Sequence, residues 1–366
     1  MPADYVIVGC GLFGATFARR VAELGRSVVL VDKRDHVGGN CYSEDRGGIQ
    51  VHMYGPHIFH TDDLRIWNFV RRFAKFNHYR HRGCVNFKGR LYSFPINLLT
   101  LHQLWGVTTP AEAEHKLAQV RIPSENPRNL EQWILSQVGR ELYETFIHGY
   151  TSKQWNCDPK ELPSSIIRRI PIRLTYDDRY FNDRYQGIPR EGYTALIMSL
   201  LDHPNIRFET SVDFFGNEKH IRSLGQMMVY TGKIDEFFDY RFGRLEYRSL
   251  RFEHEEHRGD YQGAAIVNYT EAAVPFTRIT EHKHFDFGNQ SHTIITREFP
   301  QEYDETKVPY YPIRDESNTK IYERYRQLAQ GSGIIFGGRL GTYQYLDMHQ
   351  VIAQALVASR KMQQAA

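Results

Sequence analysis

The sequence has little cysteine, no long apolar run and no large excess of charge. Its four cysteines include no C-x-x-C pair, which argues against a zinc ribbon and favours reduced thiols in a cytoplasmic protein. No apolar run approaches the roughly 20 residues that cross a bilayer. The net charge of +3 gives no broad field that would attract nucleic acid. We therefore expect neither a membrane nor a nucleic-acid partner.

Glycines near the amino terminus stand in the order typical of a dinucleotide site. The apolar run Tyr5–Val8 predicts a buried parallel strand, G-x-G-x-x-G follows at Gly9–Gly14, and a second run, Val28–Val31, ends at Asp32. The glycines permit a tight turn, leave room for a pyrophosphate, and let the following helix pack closely while its N–H groups face the phosphates. Asp32 is placed to accept hydrogen bonds from a ribose.

The residues after Asp32 indicate which dinucleotide is bound. Lys33 is followed by the paired glycines Gly38 and Gly39 and by Asn40. This resembles the extended fingerprint of FAD-binding flavoproteins of the glutathione-reductase and amine-oxidase type, so FAD is the expected cofactor. The alternative is a turn that only needs the positive φ of glycine.

Three histidines, His52, His57 and His60, lie in the next segment. Imidazole is the commonest metal ligand. No cysteine or well-spaced carboxylate completes a ligand set, however, because Asp62 and Asp63 are typical of the N-cap of the next helix. We expect no metal, and histidines that face a flavin or its phosphates.

Two further segments, a loop and a predicted strand, carry arginines outside the glycine motifs. Arg169 lies in a loop with three prolines between residues 159 and 171, after the aromatic stretch Phe146–Trp155. Arg278 lies within the predicted strand Phe276–Lys283. Such a loop is often a lid, and arginines beside aromatic rings suit a ligand with a flat base and a phosphate. The alternatives are a solvated basic loop and an ordinary half-exposed strand.

Two later segments point to the same cofactor site. The predicted strand Met227–Gly232 ends in Thr231 and glycine, a position close to the dinucleotide in FAD-binding folds. Ile334–Gly341 predicts a strand and a Gly-Gly turn, and the terminal helix that starts near Asp347 would point its N–H groups at the flavin.

These elements predict an α/β protein with three domains. An FAD-binding Rossmann-like domain, built from discontinuous segments, would take residues 1–80, 195–240 and 325–366. A helical insertion domain would take residues 96–160. An antiparallel β-sheet domain that carries substrate residues would take residues 81–95, 161–194 and 241–324.

Long, non-repetitive strings along most of the chain resemble the bacterial UDP-galactopyranose mutases. Besides the glycine motif, they are Gly55–Thr61, Gly149–Trp155, Arg169–Pro171, Asp183–Pro189, Pro275–Lys283, Tyr310–Pro312 and Gly338–Tyr343. The resemblance implies an FAD-dependent isomerase that interconverts UDP-galactopyranose and UDP-galactofuranose and supplies galactofuranose for the cell surface. In that family N5 of reduced flavin attacks the anomeric carbon as UDP leaves. An external reductant such as NAD(P)H and a homodimer are also implied.

The resemblance assigns residues to this activity. Arg169 and Arg278 match the two arginines that hold the diphosphate, and they are assigned as catalytic together with His60. The other substrate residues, with Phe146 and Tyr180 beside the uracil, are Phe146, Tyr150, Thr151, Trp155, Tyr180, Arg248, Asn268, Tyr310 and Tyr345. The cofactor residues are Gly9, Gly11, Phe13, Gly14, Asp32, Lys33, Gly39, Asn40, His57, Ile58, Val212, Thr231, Arg339, Tyr345, Asp347 and Met348. His81 departs from the family, which often has Asn near this position.

Two other functions stay open. An FAD amine oxidase or related dehydrogenase would explain the flavin motifs but gives the arginine loop no purpose, and amine substrates would bleach its flavin. A noncatalytic nucleotide-sugar-binding protein would bind its ligand without turnover.

Overall fold

The computed structural model describes residues 1–164, 166 and 171–365. The strands, in chain order, are β1 (Ala3–Val8), β2 (Val28–Val31), β3 (Ser43–Asp45), β4 (Gln50–His52), β5 (Phe59–Thr61), β6 (Gly83–Phe87), β7 (Arg90–Phe94), β8 (Tyr185–Gly187), β9 (Ile206–Glu209), β10 (Gly225–Tyr230), β11 (Tyr247–Arg258), β12 (Ile266–Tyr269), β13 (Arg278–Glu281), β14 (His292–Glu302), β15 (Tyr311–Pro312) and β16 (Ile335–Phe336). The helices are α1 (Leu12–Ala22), α2 (Leu64–Val70), α3 (Leu98–Trp105), α4 (Pro110–Val120), α5 (Leu130–Tyr143), α6 (Gly149–Trp155), α7 (Gly192–Leu201), α8 (Glu218–Ser223), α9 (Ile234–Phe237), α10 (Glu316–Gln330), α11 (Gly338–Gly341) and α12 (Met348–Ala365). None of these helices combines the length and apolar character needed to span a membrane.

The chain divides into two compact units, of which unit 1 comprises Met1–His78, Asp183–Ser249 and Tyr303–Ala366. Its main sheet is parallel, with the strand order β16-β10-β1-β2-β9. The chain runs from β1 through α1 to β2 on one side and places β10 on the other side of β1. In a doubly wound sheet this reversal opens a crevice at the carboxyl ends of the strands. The predicted Rossmann-like fold is therefore confirmed.

The neighbouring strands β1 and β2 of this sheet form because most of their residues are buried on both faces. All four residues of β2 are buried, and Val6 and Ile7 of β1 have no exposed surface. Continuous β-branched runs are what a parallel strand between two helical layers requires. The amino-terminal strands therefore appear where the sequence pattern predicts them.

Unit 2 comprises Tyr79–Asn182 and Leu250–Glu302. The strands of this unit have the order β11-β14-β13-β12-β6-β7, and the first residues of β11, which belong to unit 1, pair there with β15. β13 pairs antiparallel with both β12 and β14, and β6 pairs antiparallel with β7. β12 pairs with β6 in parallel, so the sheet expected to be antiparallel is mixed at this position.

Polar side chains define where the helices of unit 2 begin. Asn97 accepts hydrogen bonds from the N–H groups of Leu99 and Thr100 at the start of α3. Thr109 and Glu112 form a reciprocal capping box at the start of α4. Such caps satisfy N–H groups that the helix itself leaves open.

The helices of unit 2 share one hydrophobic core with the β6–β7 hairpin. Buried members of that core include Val85, Tyr92, Phe94, Leu101, Leu117, Leu135, Val138 and Phe146. An amphipathic helix and one face of a sheet each need a partner to bury their apolar surface. The helical and sheet segments that the sequence separated therefore lie in one unit, while residues 183–194, 241–249 and 303–324 belong to unit 1.

A substitution at Gly14 tests whether α1 has to pack closely against the glycine turn. A Cβ at this position would lie 2.0 Å from the carbonyl oxygen of Gly9. We expect Gly14→Ala to lower the free energy of unfolding by about 1–3 kcal/mol in urea titrations, as overpacking does elsewhere. In Gly331→Ala, where the nearest atom to a Cβ is 3.8 Å away, the change should be small. Equal stability of the two variants would contradict this packing argument.

Candidate functional site

A cavity of about 390 Å³ lies in unit 1 at the carboxyl ends of the parallel strands. Its volume falls within the range of about 300–1,000 Å³ that ligand pockets occupy. Thirteen of the predicted cofactor residues line it: Gly9, Gly11, Phe13, Gly14, Asp32, Lys33, Gly39, Asn40, His57, Val212, Thr231, Arg339 and Met348. Ile58, Tyr345 and Asp347 belong to the same unit and lie outside this lining.

The glycine turn leaves the start of α1 open to the cavity. Gly9 has a φ of +111°, which a larger residue rarely adopts, and a Cβ there would lie 1.9 Å from Oγ1 of Thr231. Gly11 caps α1 without a side-chain hydrogen bond, and the nearest atom to a Cβ at Gly11 is 3.8 Å away. Backbone N–H groups at the helix start are therefore available to an anion.

The Asp32 carboxylate is fixed at the end of β2 by two backbone groups. Its Oδ2 accepts a hydrogen bond of 2.7 Å from the N–H of Cys10, and its Oδ1 accepts one of 2.9 Å from the N–H of Arg34. An ionised carboxylate can accept about four hydrogen bonds. Acceptor capacity remains for ribose hydroxyls, as the sequence predicts.

Arg34 is a cavity residue that sequence reasoning missed. Its Nη2 donates a hydrogen bond of 2.9 Å to Oδ1 of Asn40. Its Nη1 is buried and, within the described residues, has no hydrogen-bond partner. A buried guanidinium nitrogen beside this cavity suits an oxygen atom of a dinucleotide, so the residues present fit FAD. The sequence feature that could have identified Arg34 as a site residue is the second basic position after Asp32.

Two histidines beside the cavity are held in the neutral form. Burial lowers the pKa of His52 to about 3 and that of His57 to about 4, and in His57 the Arg339 guanidinium adds to the effect. The N–H of His57 donates a hydrogen bond of 3.1 Å to Nδ1 of His52. His57 therefore presents an uncharged imidazole to the cavity at neutral pH.

His60 lies in a polar cluster of unit 1. Its Nδ1 is 3.0 Å from Oδ2 of Asp183, and its ring centroid is 5.1 Å from that of His349. Ligand atoms of His60, Asp347 and His349 lie within 4.8 Å of one another, a spacing that a cation could bridge. The sequence did not single out His349, and the expected absence of metal stays a prediction.

Unit 2 holds Arg278 between two partners. Its Nη2 donates a hydrogen bond to the hydroxyl of Tyr150, and its Nε is 3.3 Å from Oε1 of Glu298. Asn268 and Glu298 are the residues opposite Arg278 on the neighbouring strands, so all three lie on one face of the sheet. The side chain of Glu298 is 3% exposed. A buried carboxylate therefore orients the guanidinium before any ligand binds.

Two rings near Arg278, those of Tyr150 and His81, are uncharged at neutral pH. Burial raises the pKa of Tyr150 to about 12, although the Arg278 guanidinium opposes this shift. Burial, together with Arg278, lowers the pKa of His81 to about 3. Nδ1 of His81 shares a hydrogen bond of 3.2 Å with the hydroxyl of Tyr79, and its ring lies 5.1 Å from that of Tyr180. His81 thus adds a neutral ring and no second cation.

The remaining predicted substrate residues of unit 2 differ in exposure. Phe146 is 2% exposed and packs with an edge contact of 5.4 Å against Tyr92 in the core. Thr151 is also buried, whereas Trp155 and Tyr180 are half-buried. Arg169 lies outside the described residues.

A second set of predicted substrate residues lies in unit 1. The N–H of Tyr310 donates a hydrogen bond of 2.9 Å to the carbonyl of Arg248, and both side chains are buried. Tyr345 is 41% exposed, and Tyr311 stacks against it at 5.5 Å. The Arg339 guanidinium lies 5.1 Å from the Tyr345 ring, which connects this set to the cofactor cavity.

The neutral state of His52 predicts a pH-dependent stability. A histidine in the unfolded chain has a pKa of about 6.5. The unfolded state therefore binds a proton that the folded state does not, and stability falls as pH is lowered from about 6.5 towards 4. His52→Gln lacks this contribution. The free energy of unfolding of this variant should therefore fall less over that pH range than that of the parent protein. Urea unfolding at several pH values measures it, with exposed His78→Gln as the control. Parallel curves for parent and His52→Gln would contradict the assignment.

Comparisons with known proteins place the chain in a family. The family model for UDP-galactopyranose mutase matches residues 145–345, and that for an NAD(P)-binding Rossmann-like domain matches residues 7–73. The chain is 43% identical to a probable UDP-galactopyranose mutase of Klebsiella pneumoniae over 359 residues, which cover 96% of this chain and 93% of that protein. It is 44% identical to the dTDP-fucopyranose mutase of Escherichia coli over 361 residues, which cover 96% of each. A crystal structure of reduced UDP-galactopyranose mutase has the same fold, with a TM-score of 0.79 at 16% identity over 100% of this chain and 95% of that chain. The chain belongs to the UDP-galactopyranose mutase family.

Proposed function

We propose that this protein is an FAD-dependent isomerase that interconverts UDP-galactopyranose and UDP-galactofuranose. The observation that carries the proposal is the 43% identity to the Klebsiella protein along nearly the whole chain. The geometry supports it, because a dinucleotide cavity in unit 1 accompanies an oriented arginine in unit 2. An amine oxidase would need the cavity but has no use for Arg278 and its partners.

FAD would be held by groups that the structure aligns along the cavity. The N–H groups at the start of α1 would bind the pyrophosphate, Asp32 would bind a ribose, and Arg34 would donate to a further oxygen atom. Arg339 and Met348 line the cavity near the start of α12, where the flavin is proposed to lie. When bound and reduced, FAD supplies a nucleophilic nitrogen, N5, for the anomeric carbon. An external reductant such as NAD(P)H would keep it in that state.

The protein's own task would be to hold the diphosphate and stabilise the departure of UDP. Arg278 is suited to this because its guanidinium is permanently charged and can form two parallel hydrogen bonds. Negative charge grows on the diphosphate as the anomeric bond breaks, so a fixed cation stabilises the transition state more than the bound substrate. Arg169 is proposed as the second diphosphate arginine, and His60 as a further group of the catalytic site.

A second candidate substrate is dTDP-fucopyranose. The Escherichia coli protein named for it is 44% identical over 96% of both chains. The two substrates share a diphosphate and a galacto-configured sugar, but they differ in the base methyl group, the ribose 2′-hydroxyl and the sugar 6-hydroxyl. Arg278 recognises only the shared diphosphate and does not discriminate between them.

Turnover of the two nucleotide sugars tests the proposal directly. Purified protein should release FAD on denaturation, and dithionite-reduced protein should convert UDP-galactofuranose into UDP-galactopyranose, with the products resolved by chromatography. The oxidised protein and dTDP-fucofuranose are the comparisons. Faster conversion of the thymidine substrate would reassign the nucleotide sugar within the family. Failure to convert either furanose after reconstitution with FAD would overturn the isomerase proposal, and flavin bleaching by amines would favour an oxidase.

Arg278 variants test the proposed diphosphate contact. A charge-assisted hydrogen bond is worth about 1.5–3 kcal/mol, so Arg278→Ala should lower kcat/KM by roughly 10- to 100-fold or more. Arg278→Lys should restore little, because an ammonium group cannot form the paired bonds. FAD content should not change, since the cofactor cavity lies in unit 1. Exposed Arg251→Ala in the same unit is the matched control, and a near-normal rate in Arg278→Ala would remove this arginine from the site.

The biological setting is part of the proposal. We propose a cytoplasmic homodimer that supplies galactofuranose for cell-wall or lipopolysaccharide synthesis. The absence of a C-x-x-C pair or disulfide pattern in the sequence agrees with the first point.

A further inference from the structure

Lys153 on α6 forms an unusual set of hydrogen bonds for a side chain that is not a predicted site residue. Its half-buried ammonium donates to three backbone carbonyl oxygens: Tyr269 at 2.8 Å, Val274 at 2.9 Å and Phe276 at 2.9 Å. An ammonium group has three N–H donors. All three are therefore used by the last residue of β12 and by the connection that joins β12 to β13.

The acceptors show that Lys153 acts as a cation and not as a base. Burial lowers its pKa to about 8, while the Glu271 carboxylate opposes this shift. The three carbonyl oxygens accept hydrogen bonds, which favours the protonated form further. The group is therefore charged at neutral pH, with its protons committed to the backbone.

Other residues of the same helical segment touch the same connection. The carbonyl of Thr145 accepts a hydrogen bond of 2.6 Å from Oγ1 of Thr270. A Cβ on Gly149 would lie 2.1 Å from the carbonyl oxygen of Thr270, so backbone approaches backbone there. Contacts at Thr145, Gly149 and Lys153 thus hold one side of the segment against the β12–β13 connection. The turn Glu144–His148 is a π-helix, a feature often found at functional sites.

Proposed substrate residues lie on α6 and on the two strands, β12 and β13, that this connection joins. Tyr150, which follows Gly149 on α6, shares a hydrogen bond with Arg278, the first residue of β13. Asn268 lies opposite Arg278 on β12. The relative position of the helix and the connection therefore sets the relative position of these three side chains.

We infer that Lys153 is a positioning residue for the diphosphate site: its ammonium fixes the β12–β13 connection against α6 and so aligns Arg278 with Tyr150. This inference rests on the proposed function, because it takes Arg278 to bind the diphosphate. Lys153 is proposed to act through Arg278 and Tyr150, since its own donors are used by backbone carbonyls. Its loss leaves three carbonyl oxygens without their cation, and the connection then shifts to reach water.

The test is chemical rescue of nucleotide binding. In Lys153→Ala the missing atoms correspond to n-propylammonium, so the affinity for UDP, measured by calorimetry on the FAD-loaded protein, should fall by about tenfold or more. Added n-propylammonium should restore much of this loss, whereas 1-propanol, of the same size but uncharged, should not. FAD content should stay unchanged. Lys153→Met, which keeps the packing but lacks the charge, should bind UDP as poorly as the alanine variant.

The controls separate this inference from the proposed function. Exposed Lys219→Ala, on α8 of unit 1, should bind UDP like the parent protein, with no response to n-propylammonium. If the parent protein does not bind UDP, the proposed function fails. If the parent protein binds UDP and both Lys153 variants bind it as tightly as the parent does, Lys153 is a packing residue and the inference is overturned. The same conclusion follows if 1-propanol restores UDP binding as well as n-propylammonium does.

Discussion

The carboxylate of Asp32 holds the two strand ends on which the cofactor cavity depends. It accepts the N–H groups of Cys10 and Arg34, so the chain leaves β1 and β2 along fixed paths. A buried carboxylate is tolerated only when its oxygens are paired, and these bonds come from the same turns that shape the cavity. The close contact of Gly14 with the carbonyl of Gly9 then sets where α1 begins. The N–H groups proposed to bind the pyrophosphate are consequently in place before a ligand arrives, which would reduce the ordering that binding requires.

In unit 2, two side chains orient Arg278, whereas in unit 1 backbone N–H groups fix Asp32. Glu298 on the neighbouring strand and Tyr150 on α6 contact the guanidinium from different elements. They meet because the helices pack on the β6–β7 hairpin through one shared core. A displacement of α6 would therefore move the group that we propose to bind phosphate, so the helix packing matters for the proposed site.

Histidines are abundant around both sites, yet the positive charge proposed to hold the diphosphate comes from arginine. Burial keeps His52, His57 and His81 neutral far below physiological pH. Guanidinium groups do not lose their proton in proteins. The arginine charge proposed to attract phosphate is therefore constant across the neutral range, whereas the buried neutral histidines are expected to make the folded state less stable in acid.

Local patterns in the sequence were sufficient for the amino-terminal part of the fold. The apolar runs, the glycine spacing and Asp32 predict β1, α1, β2 and a dinucleotide cavity, and the structure contains them. This succeeded because each feature is decided within a few residues, by burial on both strand faces and by the conformations only glycine adopts. Arg34 was not predicted because the burial of one of its nitrogens beside a cavity is not decided by the neighbouring residues in the sequence.

What only the tertiary structure decided are the pairings between distant segments. Arg278 could be recognised as a mid-strand arginine, but its contacts with Tyr150 and Glu298 depend on strand register and helix packing. The three carbonyls around Lys153 are likewise more than a hundred residues away along the chain. The merging of the helical and sheet segments into unit 2 has the same origin, because burial of two incomplete apolar faces is a property of their contact and of neither segment alone.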